Sequence, residues 1–252
     1  MRRLLVINPN TSPRVSALLQ HHVQAAVGPQ VAVHTATARF GAPYIACEAS
    51  YAVAAHALLD VWAHHMTQLT AQPGPLPDAV LIGCFGDPGL MALRESSPVP
   101  VTGLAEASFI EAARHGRYAI VTGGGRWGPM LQRLAAALGQ ASLLAGIHTV
   151  APTGAQLAAD PEAARSLLAR ACRDVVQRWG VQAVILGGAG LAGMAAAVQP
   201  QVDVPVIDSV LAGAHIALRA QPSPPERRAA GFDVAWSGVS AEMAALGVAK
   251  AD

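Results

Sequence analysis

Short apolar runs alternate with longer segments of mixed polarity along the whole chain. Arg3 to Ile7 reads as a buried strand, and Asn8-Pro9-Asn10-Thr11-Ser12-Pro13 follows it as a turn. Ser12 and Pro13 suit the cap and first position of a helix reaching about Ala26, because a serine oxygen accepts a free N–H of the first turn and proline lacks an N–H where none is needed. The same order predicts a strand at Val31 to Thr37, an alanine-rich helix from Ala49 to about Thr70 and a strand at Ala79 to Gly83. Pro73-Gly74-Pro75-Leu76-Pro77 is the loop between the last two.

After Pro98-Val99-Pro100 the cycle restarts. Val101-Thr102-Gly103 leads to a helix from Ala105 to Ala113, and the strand Tyr118 to Thr122 empties into Gly123-Gly124-Gly125. A helix from Pro129 to Leu138, a strand from Leu144 to Val150, a helix from Pro161 to Trp179, a strand from Ala183 to Leu186 and a helix from Leu191 complete the second set. Val204-Pro205-Val206-Ile207-Asp208 begins a return. Alternating strands and helices predict an α/β fold with parallel sheets and ligands at the C-terminal ends of the strands. The repetition predicts two pseudo-symmetric parallel-sheet lobes facing each other. One is residues 1–98 with 209–252 packing back on it, the other 99–208. Pro222-Ser223-Pro224-Pro225 and the alanine-rich tail read as surface, and Arg227-Arg228 as a solvated pair.

The two halves also repeat a detail. Ala79-Val80-Leu81-Ile82-Gly83-Cys84-Phe85-Gly86-Asp87-Pro88-Gly89 carries a thiol at a strand's end, in a glycine-rich turn that opens a helix. Ala183-Val184-Ile185-Leu186-Gly187-Gly188-Ala189-Gly190-Leu191-Ala192-Gly193 repeats the arrangement with Gly188 where Cys84 stood.

Composition narrows the chemistry. At 252 residues the chain can bury a core without staples, and Cys47, Cys84 and Cys172 show neither paired nor metal-ligand spacing. That favours a reducing, cytoplasmic setting. The formal net charge of +1, with 13% charged residues, marks no nucleic-acid or membrane footprint and favours a small-molecule ligand. The 52% hydrophobic content is inflated by alanine, and no apolar stretch reaches the roughly 20 residues that span a bilayer. Met1-Arg2-Arg3 precedes too short an apolar run for a secretory signal. Of the histidines, His21-His22 and His64-His65 are helical neighbours that diverge by about 100° and share a metal poorly.

A buried strand-end cysteine can be simply a small inert hydrophobe. A turn opening a helix would instead lower the thiol pKa through backbone N–H groups and the positive end of the dipole. On that reading Cys84 is alkylated before Cys47 and Cys172, which read as structural. Asp87 reads first as a cap of the helix that follows it.

Ile7-Asn8-Pro9-Asn10-Thr11-Ser12, Gly83-Cys84-Phe85-Gly86-Asp87-Pro88, Gly103-Leu104-Ala105-Glu106-Ala107-Ser108, Val121-Thr122-Gly123-Gly124, the glycine segment Leu186 to Met194 and Val204-Pro205-Val206-Ile207-Asp208, taken in order, resemble the aspartate/glutamate/hydantoin racemase family, nearest its hydantoin and allantoin racemases. The resemblance runs from residue 4 to about residue 215. It implies two pseudo-symmetric parallel-sheet lobes with the active site in the cleft between them. It also implies a homo-oligomeric enzyme that uses no cofactor, neither metal nor pyridoxal phosphate, and acts at an acidic carbon α to a carbonyl of a hydantoin, amino acid or small carboxylate. In such enzymes two cysteines face opposite sides of that carbon, one removing the proton and the other returning one. Cys84 matches the first, and Gly188 stands in place of the second. By the same resemblance Asn10, Thr11, Phe85, Thr122, Gly123, Gly187, Gly188 and Ala189 contact substrate, with Gly187 to Gly190 as an oxyanion nest. His56, Glu106 and His215 are candidate replacement proton donors. A lone thiol returns its proton to the face it came from, so three readings stay open. They are a racemase or isomerase of this family, a single-cysteine decarboxylase or cis-trans isomerase of a small dicarboxylate, and a ligand-binding relative without activity.

Overall fold

The computed structural model of the chain describes residues 1–152, 154–220, 232 and 234–247. Strands β1 (Arg2–Asn8), β2 (Val31–Thr37), β3 (Ala79–Ile82) and β4 (Val101–Gly103) form one parallel sheet in the order β2-β1-β3-β4. Strands β5 (Tyr118–Gly123), β6 (Leu144–Val150), β7 (Ala183–Gly187) and β8 (Val206–Asp208) form a second, in the matching order β6-β5-β7-β8. Helices α1 (Pro13–Val27), α2 (Glu48–Ala71), α3 (Leu90–Ser96) and α4 (Leu104–Ala113) alternate with the first set of strands. Helices α5 (Trp127–Ala137), α6 (Gly154–Ala159), α7 (Pro161–Trp179), α8 (Met194–Val198), α9 (Ser209–Arg219) and α10 (Ala241–Leu246) follow in the second half. The fold is thus α/β with two parallel four-stranded sheets and flanking helices.

The strands with the most continuous apolar runs are the inner ones. Residues 79–82 of β3, 118–123 of β5 and 183–187 of β7 are buried throughout, as parallel strands covered on both faces must be. A shared core joins the inner faces of the sheets: Leu4, Val6 and Leu81 from the first and Tyr118, Ile120 and Ile185 from the second meet Phe109 of α4 and Ala214 of α9. The outer face of the first sheet is covered by Leu58, Trp62 and Leu93, that of the second by Leu168, Cys172 and Val198.

Three expectations change. The strand at 101–103, assigned from the sequence to the second lobe, pairs with β3, so the first sheet extends past Pro98-Val99-Pro100. That segment is an ordinary link between α3 and β4, locked by the Val80 N–H donating to the Pro100 carbonyl at 2.8 Å, and Val184 and Pro205 repeat the bond at 2.9 Å in the second half. The tail is not bare surface either. Met243 of α10 is buried, α10 packs on α2, and Glu242 pairs with Arg39, which also holds the buried Asp60. The helix expected from Leu191 opens as a 3₁₀ turn, Ala189–Leu191, before α8. Helix α9 follows the second sheet yet packs on α4, α1 and β3. Pro222 to Pro225 and Arg227-Arg228 lie outside the described residues. Among the described residues no helix is long and apolar enough to cross a membrane.

Candidate active site

The turn after β1 is held by its own side chains. Buried Asn8 donates through Nδ2 to Asn10 Oδ1 (3.1 Å), the Ser12 carbonyl (3.2 Å) and Ser16 Oγ (3.0 Å), while Asn8 Oδ1 accepts the Asn10 N–H (3.2 Å). Asn10 Oδ1 also accepts the Ser12 N–H at 2.9 Å. The oxygen side of the Asn10 amide is therefore committed inward. Its Nδ2 has no acceptor among the described residues, although Asn10 is only 7% exposed and lines the cleft. Thr11 does not line it, and its N–H is spent on the Ala42 carbonyl at 3.1 Å.

After β3, the Gly83 N–H bonds the Ile7 carbonyl at 2.8 Å and delivers Cys84 to the end of the sheet, 6% exposed. Burial pushes its thiol well above the ordinary value, and the nearby Asp87 carboxyl pushes it the same way. The expected acidic thiol is not found. Helix α3 begins only at Leu90, behind a Gly89 cap, so Cys84 does not sit on its positive end, and the charge nearest in the turn is a carboxylate. Asp87 caps a different helix from the one it precedes. Its carboxylate accepts the Ala105 N–H (2.9 Å) and the Glu106 N–H (2.8 Å) at the start of α4. Burial raises the Asp87 carboxyl to about 7 while these two bonds pull it down. Gly103 is required beneath it, since a Cβ there would lie 2.0 Å from Asp87 Cγ.

The second half builds the facing wall. Thr122 Oγ1 donates to the Gly187 carbonyl at 2.7 Å, so its own proton is engaged and its lone pairs are left for a ligand. Gly188 has φ 140°, and its N–H bonds Ser209 Oγ at 3.1 Å. Asp208 takes the role that Asp87 has in the first half, capping α9 through the Val210 and Leu211 N–H groups while accepting the Gly193 N–H at 2.8 Å. The halves interlock through glycines. The Phe85 ring lies over Gly187, where a Cβ would come within 2.2 Å, and Trp127 lies over Gly86, where it would come within 2.4 Å.

Between the walls is a cavity of about 120 Å³. From the first half it is lined by Asn10, Cys84 and Phe85, and from the second by Thr122, Gly123, Gly187, Gly188 and Ala189. Sequence reasoning missed Tyr44 and Trp127, which close it, and Arg14. Tyr44 stands on the loop between β2 and α2 with its hydroxyl 3.5 Å from the Gly123 carbonyl, and burial raises its phenol. The signal was available: this loop leaves the C-terminal end of a strand, and Trp127 follows the triple glycine at another.

None of the proposed replacement donors reaches the cavity. His56 packs edge-on to Phe40 at 4.9 Å, Glu106 pairs with Arg94 at 2.6 Å, and His215 borders a separate depression with Arg114. Cys47 caps α2 and is half-buried, and the Ser50 hydroxyl lowers its pKa. Cys172 is buried and pushed up to about 12. Among the described residues no group of His, Cys, Asp or Glu gathers that could hold a metal ion.

The family described as Asp/Glu/Hydantoin racemase matches the chain over residues 4–217. A hydantoin racemase of Paenarthrobacter aurescens is 31% identical over 220 residues, covering 85% of this chain and 89% of the relative. A hydantoin racemase of a Pseudomonas species is 28% identical over 216 residues, 85% of this chain and 84% of the relative. Among solved structures, an allantoin racemase from Klebsiella pneumoniae superposes with a TM-score of 0.85 at 28% identity, covering 98% of this chain and 99% of that one.

Proposed function

Since the chain belongs to the Asp/Glu/hydantoin racemase family, we propose that it moves a proton at the carbon α to a carbonyl of a hydantoin or related amino-acid derivative, with Cys84 as the acid/base group and no cofactor. One observation carries the reading. Equivalent strand ends of two matching sheets place Cys84 and Gly188 in the walls of one cavity.

In the proposed reaction the Cys84 thiolate takes the α-proton, the C–H electron pair becomes an enolate, and the new charge falls on the carbonyl oxygen. Donors for that oxygen are the Asn10 Nδ2 group and the N–H groups of Ala189 and Gly190, which open a helical turn and so lack intrahelical acceptors. Thr122 Oγ1 accepts a ring N–H. Return of the proton from Cys84 restores the original configuration, and inversion needs a donor on the Gly188 side. Gly188 supplies none. Proton exchange at the Cys84 face therefore outruns inversion.

The same one-thiol geometry suits protonation of an enediolate left when a small dicarboxylate loses carbon dioxide, and one assay separates the two. The protein is incubated in D2O with hydantoins, allantoin, amino acids and arylmalonates while deuterium uptake and optical rotation are followed. Deuterium uptake by a hydantoin ahead of loss of rotation, cut at least about a hundredfold in Cys84→Ser, is the expected result. Product formation from arylmalonates alone favours the decarboxylase. Absence of turnover across the panel removes the enzymatic reading, and full activity in Cys84→Ser removes Cys84 as the acid/base group.

A further inference from the structure

Helix α1 enters the cavity wall with its first turn, and Arg14 of that turn is the one charged side chain among the described residues that line the cavity. It is exposed, and no carboxylate among the described residues pairs with it, whereas Arg39, Arg94 and Arg133 each hold one. Its position costs the helix something. A cation in the first turn opposes the dipole, and that turn contains no acidic residue to offset it. A negative charge arriving from outside would remove the conflict.

We propose that Arg14 selects substrates whose reacting ring carries an arm ending in a carboxylate. The inference rests on the racemase-type reading of the cavity. Asn10, more than nine-tenths buried and with no acceptor for its Nδ2 among the described residues, anchors the ring in the cavity that Cys84 lines. Val15 and Leu18 of α1 line the cavity beside Arg14, and Leu18 is one helical turn on from it, so an arm lying along this apolar face ends at the guanidinium. A guanidinium matches a carboxylate in charge and with a planar pair of donors, and gains less from a neutral amide or ureido group.

The test compares 5-(2-carboxyethyl)hydantoin with its near-isosteric amide, 5-(2-carbamoylethyl)hydantoin. Binding is read by calorimetry and turnover by deuterium exchange, in the wild type, Arg14→Gln and Arg14→Lys, at low and high salt. The wild type should favour the carboxylate by about fivefold, with the preference eroded by salt. In Arg14→Gln the ratio should fall to about one while Arg14→Lys keeps part of it. Thermal unfolding checks the fold, and Arg14→Gln should not lower Tm because it takes a cation from the positive end of α1. Equal affinity of the wild type for both compounds, binding of neither, or a loss in Arg14→Gln that is the same for both overturns the assignment. An Arg14-dependent preference in binding without exchange of either compound keeps the assignment and defeats the racemase-type reading. Equal binding together with equal exchange of both does the reverse.

Discussion

Cys84 is buried in the cavity wall beside a carboxylate, while Cys47 is half-buried at a helix start with the Ser50 hydroxyl against its sulfur. The thiol proposed for chemistry is thus the less acidic of the two. Near neutral pH iodoacetamide should label Cys47 first, with Cys84 and Cys172 slow, as mass spectrometry of timed samples would show. Early loss of Cys84 would mean that its environment is more open and more polar than described. The same shift sets a pH dependence. A thiol raised above its ordinary 9.0 has a thiolate fraction that climbs about tenfold per pH unit through the neutral range, so kcat/KM for deuterium exchange should rise from about pH 6 to about pH 9 without a plateau. A plateau near neutrality contradicts a raised thiol in the free enzyme. At this scale the sequence was informative wherever a residue ends a strand: Asn10, Cys84, Thr122 and Gly188 all line the cavity. It was silent on what depends on a neighbour's reach. Thr11 differs from Asn10 because its N–H finds Ala42, and the acidity of Cys84 depends first on how deeply the fold buries it and then on where the Asp87 carboxylate turns.

At the level of elements, Asp87 shows how local pattern and tertiary role separate. The sequence places it before α3, yet it caps α4, because β4 lies beside β3 and brings the first N–H groups of α4 over the Cys84 turn. No reading of consecutive residues contains that adjacency. The same absence led to the assignment of β4 to the second lobe, although the individual strands and most helices were recoverable from period and punctuation, Val31–Thr37 and Pro161–Trp179 among them. Asp87 has φ 51°, a conformation that asparagine tolerates well. Asp87→Asn should therefore keep the backbone but lose one of two acceptors, costing about 1 kcal/mol, and Asp87→Ala should lose both and cost about 2 kcal/mol or more. Urea unfolding of the three proteins checks the order. Equal stabilities would mean that the cap contributes nothing to α4. Asp87→Asn also takes a negative charge from beside Cys84, so its exchange profile should move to lower pH.

Across the whole molecule the two sheets share one strand order, and the difference that bears on the chemistry lies at one pair of positions. Cys84 follows β3 and Gly188 follows β7, each strand third in its sheet, and the interlock of Phe85 over Gly187 with Trp127 over Gly86 fixes the two ends against one another. Filling the interlock should be costly: Gly187→Ala drives a Cβ to 2.2 Å from the Phe85 ring and should destabilise by about 1–3 kcal/mol in urea unfolding, with exchange activity falling as the walls shift. Gly188 is a different case. A Cβ there meets nothing nearer than Leu191 Cγ at 3.6 Å, so space for a side chain exists, but φ 140° is backbone that L residues rarely adopt. The cost of Gly188→Cys is therefore conformational, about 1–3 kcal/mol, and should appear as a lower Tm. If inversion is limited by the missing donor, this variant should raise the rate of optical-rotation loss relative to deuterium uptake despite being less stable. Adding Cys84→Ser should then leave exchange at the new face without inversion, because either thiol alone returns its proton to the side it came from. A folded Gly188→Cys protein whose ratio is unchanged would place the second proton source elsewhere in the cavity wall, with Tyr44 the first residue to replace, since its phenol is raised and its hydroxyl already reaches the second half at Gly123.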